Sequence, residues 1–414
     1  MDTPIEILKL VGGIVLSFWW LWLPLILFRN FFRLWLLYAR VKFWKNLDWI
    51  LLEIVPPRII MQSPKAAESI FAGLWSFWGT VATKVDKYIK GAVQEYFSLE
   101  IIGSNGEIHF YVRCPRARRN HVEAQFYAQY PNAEIFEVED YVNKVPNVVK
   151  SAEWDIWGTG LRLDKADAYP IRTYMDFIDA APVETSAAFI DPLASMVETL
   201  NKLRDGEQLW IHLYCRPVDD SWKDEGQKIV DKIMGREVPA KKPLPIALIE
   251  GLVSFFFGGG DGVTAQGPAI PKSFLLSEDE RSVLKALDRS TSKKGYQCKL
   301  QWAYMGRKDV FSKANIGAIM GVFNQFNDLS LNGFKPDPDT MTRAAYFLVE
   351  PRLNFKKRLL FESMKVRKFF EKGFVLNTEE LATVFHFPAI NVEAPGTPRT
   401  EAKKGTPPSG LPVG

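Results

Sequence analysis

Residues 10–28, LVGGIVLSFWWLWLPLILF, form an unbroken uncharged run that begins at Leu10, ends at Phe28 and has Ser17 as its one hydroxyl. At 1.5 Å per residue, nineteen helical residues reach roughly 28 Å, close to the ~30 Å hydrocarbon core of a bilayer. Pro24 does not forbid a span, because neighbouring helices and side chains re-satisfy a freed carbonyl in a transmembrane helix. A cleaved signal peptide fits worse: the run exceeds a typical apolar signal segment, Asp2 and Glu6 accompany Lys9 upstream, and no small-x-small cleavage site follows. Trp19, Trp20 and Trp22 lie nearer the middle of the run than an interfacial aromatic belt does, which is the argument for a buried helix of a soluble protein instead. Arg29, Arg33, Arg40, Lys42 and Lys45 follow the run, against one lysine before it, so the positive-inside rule places the bulk of the chain in the cytoplasm, anchored to the inner membrane by a single pass.

A chain of 414 residues leaves room for two or three domains beyond the anchor, and 47% hydrophobic with 24% charged residues is the composition of a globular protein. A net charge of +4 is too small to make the whole chain a polyanion binder, so any such role must rest on local clusters. Cys114, Cys215 and Cys298 are odd in number and far apart, which fits a reducing compartment and provides neither a disulfide nor a zinc framework.

Residues 31–54 alternate aromatic and aliphatic side chains with bases. This pattern suits an interfacial helix in the headgroup plane with snorkelling cations; the alternative is a helix that continues the anchor into the cytoplasm. The anchor and this segment occupy 1–56, a helical connector 57–92, an α+β domain 93–236, a Pro/Gly-rich linker or insertion 237–273, a second α+β domain 274–390, and a disordered Pro-rich tail 391–414. In the first domain, YFSLEIIG and EIHFYVR alternate as strands around a turn at Asn105-Gly106, a helix spans 116–130, and AEIFEVEDY returns as a strand. Asp191 caps a helix with Leu193, Met196, Val197, Leu200 and Leu203 on one stripe, followed by the strand QLWIHLYCRPV and a helix over 221–234. Ser277 and Glu280 form a capping box ahead of the third unit, in which YQCKLQWAYMG and AAYFLV read as strands. The fold class is α+β, with two or three ferredoxin-like sandwich units behind a transmembrane helix.

No catalytic constellation emerges. The chain lacks a G-x-x-x-x-G-K-[ST] loop, which argues against ATP hydrolysis by this chain alone. His212 and Cys215 stand three apart on one strand and so face opposite sides of the sheet. His109, Cys114 and His121 straddle a strand end and a helix, a poor metal set. No cofactor and no metal ligand is expected. One charge cluster, Lys356, Lys357, Arg358, Lys365 and Lys368, falls on a helix from about 353 with Leu360, Phe361 and Met364 turned inward; it reads either as a contact to nucleic acid or anionic lipid, or as a solvated helix face.

The phrases EYFSLEIIGSNGEIHFYVRCP, QFYAQYPNAEIFEVEDY, YPIRTYMDF, IDPLASMVETLNKLRDGEQLWIHL, FNQFNDLSLNGFKP and FVLNTEELATVFHFP together resemble the membrane-anchored N-terminal region of bacterial type IV secretion and conjugation-type DNA-translocating ATPases. In that family a helicase-like motor follows after a Pro-rich connector; here EAKKGTPPSGLP matches the connector and no motor follows, so no catalytic residue is carried over. The resemblance implies a non-catalytic adaptor or assembly module that works with an ATPase motor encoded apart or lost. Homo-oligomer contacts and an indirect relation to DNA are implied with it. A membrane-associated scaffold unrelated to DNA transfer is the alternative.

Overall fold

The computed structural model describes residues 13, 17–57, 60, 62–79, 83–146, 151, 153–179, 191–234, 236, 276–369 and 373–388. Helix α1 (Trp19–Lys45) runs through Pro24 without a break, and Lys42 and Lys45 in its last turn suit the negative end of the helix dipole. The basic stretch that read as interfacial therefore continues the apolar helix as far as Lys45. Its final part does not: β1 (Trp49–Val55) is a strand where a helix was expected, because WILLEIV is buried on both faces and is hydrogen-bonded along both edges. Pairing on two sides outweighs the weak local preference of a seven-residue segment.

Two connected sequences of elements follow the same plan. The first is β1, α2 (Lys65–Leu74), a short α3 (Lys84–Tyr88), β2 (Phe97–Ser104), β3 (Glu107–Pro115), α4 (Arg119–Gln129) and β4 (Glu134–Val138), whose strands lie in the order β4-β1-β3-β2. The β2–β3 turn carries φ of 54° at Asn105 and 80° at Gly106, the left-handed pair that matches the twist of a two-residue hairpin. The second is β5 (Trp154–Leu163), α5 (Tyr174–Asp179), α6 (Ala194–Asn201), β6 (Glu207–Pro217), α7 (Lys223–Ile233), α8 (Glu278–Thr291), β7 (Gly295–Arg307), α9 (Lys313–Asn324) and β8 (Phe334–Pro336), ordered β8-β5-β7-β6. Antiparallel pairing of β2 with β6, from Phe97 opposite Cys215 to Ser104 opposite Gln208, fuses the halves into one sheet. Strands β6 and β7, which fall on opposite sides of the 237–273 segment, pair from Glu207 opposite Gly306 to Pro217 opposite Tyr296. The expected separate sandwiches thus share a sheet and a core, since a strand pair of this length leaves no independent edge between them.

The chain then crosses the outer face as α10 (Val349–Val366), adds β9 (Phe374–Asn377) beside β7, and ends its described part in the buried helix α11 (Thr378–Val384). One face of the sheet packs on α2, α4, α6, α9 and α11 through residues such as Ile70, Phe126, Leu200, Phe323 and Leu381. On the other, Trp210, Ala303 and Met305 meet Leu360, Phe361 and Met364 of α10. The capping box at the start of α8 forms with both halves in place, Ser277 accepting from Glu280 N and Glu280 from Ser277 N. The strand expected at AAYFLV does not form. Tyr346 and Leu348 have positive φ, the segment is exposed, and the edge of β5 is taken instead by Phe334–Pro336.

Candidate functional site

At the root of α1 the apolar helix is locked into the sheet. Trp44 is buried, and its indole Nε1 donates to Tyr96 Oη at 2.8 Å; Tyr96 Oη in turn donates to the carbonyl of Arg367 at 2.6 Å. Trp49 stands 5.0 Å from the Tyr96 ring and 6.1 Å from Trp44, and Tyr214 and Phe369 complete the cluster. Gly91 permits the close approach of its loop to α1, for a Cβ there would sit 2.3 Å from the backbone of Ala39. Away from this root the helix touches little. Trp19, Trp20, Trp22, Pro24 and Phe28 are all exposed, as are Phe31, Phe32, Leu34, Trp35, Leu37 and Tyr38, while Leu10 lies outside the described residues.

Above the root, on the outer face where the two halves of the sheet join, lies a buried ionic network. Glu100 of β2 has no exposed surface; its Oε1 is 2.7 Å from Arg367 Nε and its Oε2 2.9 Å from Arg367 Nη2. Arg367 also holds both oxygens of Asp140, at 2.7 and 3.0 Å. Ser98 and Tyr141 donate to Glu100 at 2.6 and 2.5 Å, and His212 Nε2 is 2.6 Å from the Tyr141 hydroxyl. Burial pushes the Glu100 carboxyl up, but the Arg367 and His212 charges outweigh it and hold the group at about 2. Burial drives His212 the other way, down to about 4, against the partial pull of Glu100. Arg367 occupies the left-handed region at φ 54° as it ends α10, a strained position for a residue with a Cβ that its ionic contacts hold in place. Sequence reading passed over this network; the signal available was a titratable residue in the middle of each of two apolar strands, Glu100 in SLEII and His212 in LWIHL.

The five basic residues of the charge cluster point in different directions, and one of them lies beyond α10. Lys357 lies beside the buried stripe and pairs with Asp155, Arg358 pairs with Glu362 at 2.8 Å, and Lys356 donates to the Pro338 carbonyl at 3.0 Å. Lys365 sits over the Phe361 ring at 5.5 Å. Lys368 falls beyond the helix end and stands over Trp44 at 5.9 Å, so it belongs to the root of α1. Beside α10 a groove of about 460 Å³ is lined by Leu348, Phe355, Leu359 and Leu360, with Lys299 and Gln301 at its floor.

The reactive side chains are scattered or neutral. Cys215 and Cys298 face each other across β6 and β7 on the inner side, opposite to His212, and all three cysteines are buried free thiols. Burial raises Cys114 to about 12 and Cys298 well above the ordinary thiol range, which removes the thiolate needed for nucleophilic or metal chemistry. His109 Nδ1 lies 2.6 Å from Glu53 Oε1, whereas His121 contacts Ser76, so these two and Cys114 do not converge. Among the described residues no group of three or more His, Cys, Asp or Glu is placed to hold a metal ion.

A helix long and apolar enough to cross a membrane, joined through its C-terminal end to a mixed α+β body built on a large antiparallel sheet, is the class of protein these features define. The chain belongs to the DUF8128 family, described as a domain of unknown function, whose family model matches residues 56–399. No curated protein matches it.

Proposed function

We propose that this chain is a membrane-anchored, non-catalytic adaptor or assembly module of a type IV secretion or conjugative DNA-transfer machine. It acts with an ATPase motor, from the cytoplasmic side of the inner membrane. The observation that carries the reading is the rigid junction at Trp44, Tyr96 and Arg367, which couples an exposed apolar helix to the sheet instead of leaving it on a flexible tether. A stiff junction suits a part that positions a machine against the bilayer. The repeated strand order of the two halves supports two fused ferredoxin-like units, a scaffold whose outermost strands, β4 and β8, have an unpaired edge among the described residues for homo-oligomer or motor contacts.

One observation favours the scaffold alternative, unrelated to DNA: Lys357 and Arg358 are already engaged by carboxylates. The full-length chain is expected to resist alkaline extraction from membranes and to co-purify in mild detergent with an ATPase carrying a Walker loop. Release by alkali, or nucleotide turnover by the purified chain alone, would sink the adaptor reading. Retention on DNA at low salt, weakened by neutralising Lys356, Lys357 and Arg358, separates the DNA-linked role from the scaffold.

A further inference from the structure

The chain pairs many of its arginines with carboxylates: Arg116, Arg118, Arg119, Arg289 and Arg367 all do so. The root of α1 departs from this. Arg113 and Arg216 flank the same end of β2, since Arg113 lies opposite Ser98 and Cys215, the neighbour of Arg216, lies opposite Phe97. Both sit against the outer-face aromatic cluster, Arg113 at 4.2 Å over Trp49 and Arg216 at 4.7 Å over Phe369, with Lys368 over Trp44. Arg40 of α1 joins them, near enough to lower the proton affinity of Arg216 in addition to the larger effect of burial. None of the four cations makes an ion pair among the described residues. Arg40 Nε and Arg113 Nη1 are buried with no hydrogen-bond partner there. The carboxylates that face Arg113 are Glu100 and Asp140, and Arg367 already holds both.

Four like charges gathered around an aromatic floor repel one another, and the unfilled Arg40 Nε and Arg113 Nη1 donors raise the cost, although Arg216 Nη2 already donates to Gln297 Oε1. A phosphate oxyanion would offset both terms, because guanidinium groups match its geometry with paired donors. The exposed apolar surface of α1 continues to Tyr38, two residues before Arg40, or about 3 Å along the helix axis. With residues 10–28 across the hydrocarbon core and Phe31 to Tyr38 along the lipid interface, Arg29 and Arg33 snorkelling, the cluster lies beside the lipid headgroups.

We propose that Arg40, Arg113, Arg216 and Lys368 form a binding site for the phosphate of an anionic phospholipid headgroup. The inference rests on the membrane-anchored reading of α1. In the test, the full-length chain, delipidated in neutral detergent, is titrated with phosphatidylglycerol in mixed micelles, with phosphatidylcholine in a parallel arm. Bound lipid is counted by native mass spectrometry. Phosphatidylglycerol is expected to bind preferentially, and the Arg216→Gln/Lys368→Gln double variant to weaken it about tenfold or more, from roughly 1 kcal/mol per juxtamembrane cation. The Arg216→Lys/Lys368→Arg variant should retain most of the binding, which separates lost charge from lost folding. Lys356→Gln/Arg358→Gln should leave binding unchanged. Equal binding of the two lipids, or an unaltered affinity in the double glutamine variant, overturns the proposal. So does displacement of the lipid by millimolar inorganic phosphate or by a short oligonucleotide, which would assign the site to a soluble anion or to nucleic acid. Alkaline extraction of the same proteins keeps the two readings apart: release refutes the anchor, whereas a retained chain without lipid preference refutes this site alone.

Discussion

Replacing Arg367 with methionine removes the guanidinium that bridges Glu100 and Asp140 while keeping an unbranched side chain of similar reach. Glu100 then remains fully buried with only Ser98, Tyr141 and His212 beside it. Its carboxyl, held at about 2 in the native protein, is about 2.5 pH units below its ordinary 4.5, which corresponds to about 3 kcal/mol. Severing a buried ion pair and stranding one charge costs about 3–5 kcal/mol in general. The Arg367→Met chain is expected to lose about 3–5 kcal/mol at pH 7 in denaturant unfolding followed by tryptophan fluorescence. Adding Glu100→Gln should recover much of this loss, because the uncompensated charge is gone. The pH dependence supplies a second check. A depressed carboxylate stabilises above its unfolded value and loses that contribution as pH falls from 4.5 toward 2; this acid limb should vanish in Arg367→Met. A loss under about 1 kcal/mol, or additive effects of the two substitutions, would refute the reasoning, since residues in one network must couple.

Trp44→Ala should cost about 3–5 kcal/mol through the lost ring and the missing donor to Tyr96, and should speed protease cleavage in the 46–48 turn between α1 and the sheet, read by limited proteolysis. His212 is held neutral to about 4 against an ordinary 6.5, so the unfolded chain binds the extra proton first and stability should fall as pH drops from 6.5 to 4; His212→Gln should flatten that interval in a pH series of unfolding midpoints. Gly158→Ala should destabilise by about 1–3 kcal/mol in the same unfolding assay, since the new Cβ would lie 2.2 Å from the Trp302 carbonyl oxygen and 2.8 Å from Ala303 Cα, where paired backbone cannot give way.

Local patterns were enough to read the hairpin at Asn105-Gly106, the Ser277 capping box, the alternating strands β2, β3, β6 and β7, and the inward turn of Leu360, Phe361 and Met364, because each is encoded by neighbours within one turn or one strand. The opposite faces of His212 and Cys215 followed from strand parity alone. The strand at Trp49–Val55 was not legible, since six apolar residues and one glutamate after a basic helix satisfy either conformation until β3 and β4 supply edges. Nor was the short strand at Phe334–Pro336, whose three residues carry too little periodicity to outweigh the more apolar AAYFLV. The basic run on α10 read as one charge cluster because sequence shows charge but not the acids that meet it from elsewhere in the chain; Asp155 is 202 positions from Lys357.

What the sequence determined by itself was the apolar N-terminal stretch, the α+β alternation and the type of most elements, all set by side-chain periodicity and local capping. Only tertiary structure decided that two β4-β1-β3-β2-like halves fuse through β2 and β6, that Arg367 reaches back to Glu100, and that Arg40, Arg113, Arg216 and Lys368 meet at the root of α1. Strand order and long-range ion pairing depend on which distant segments share a sheet, and no window of neighbouring residues carries that information.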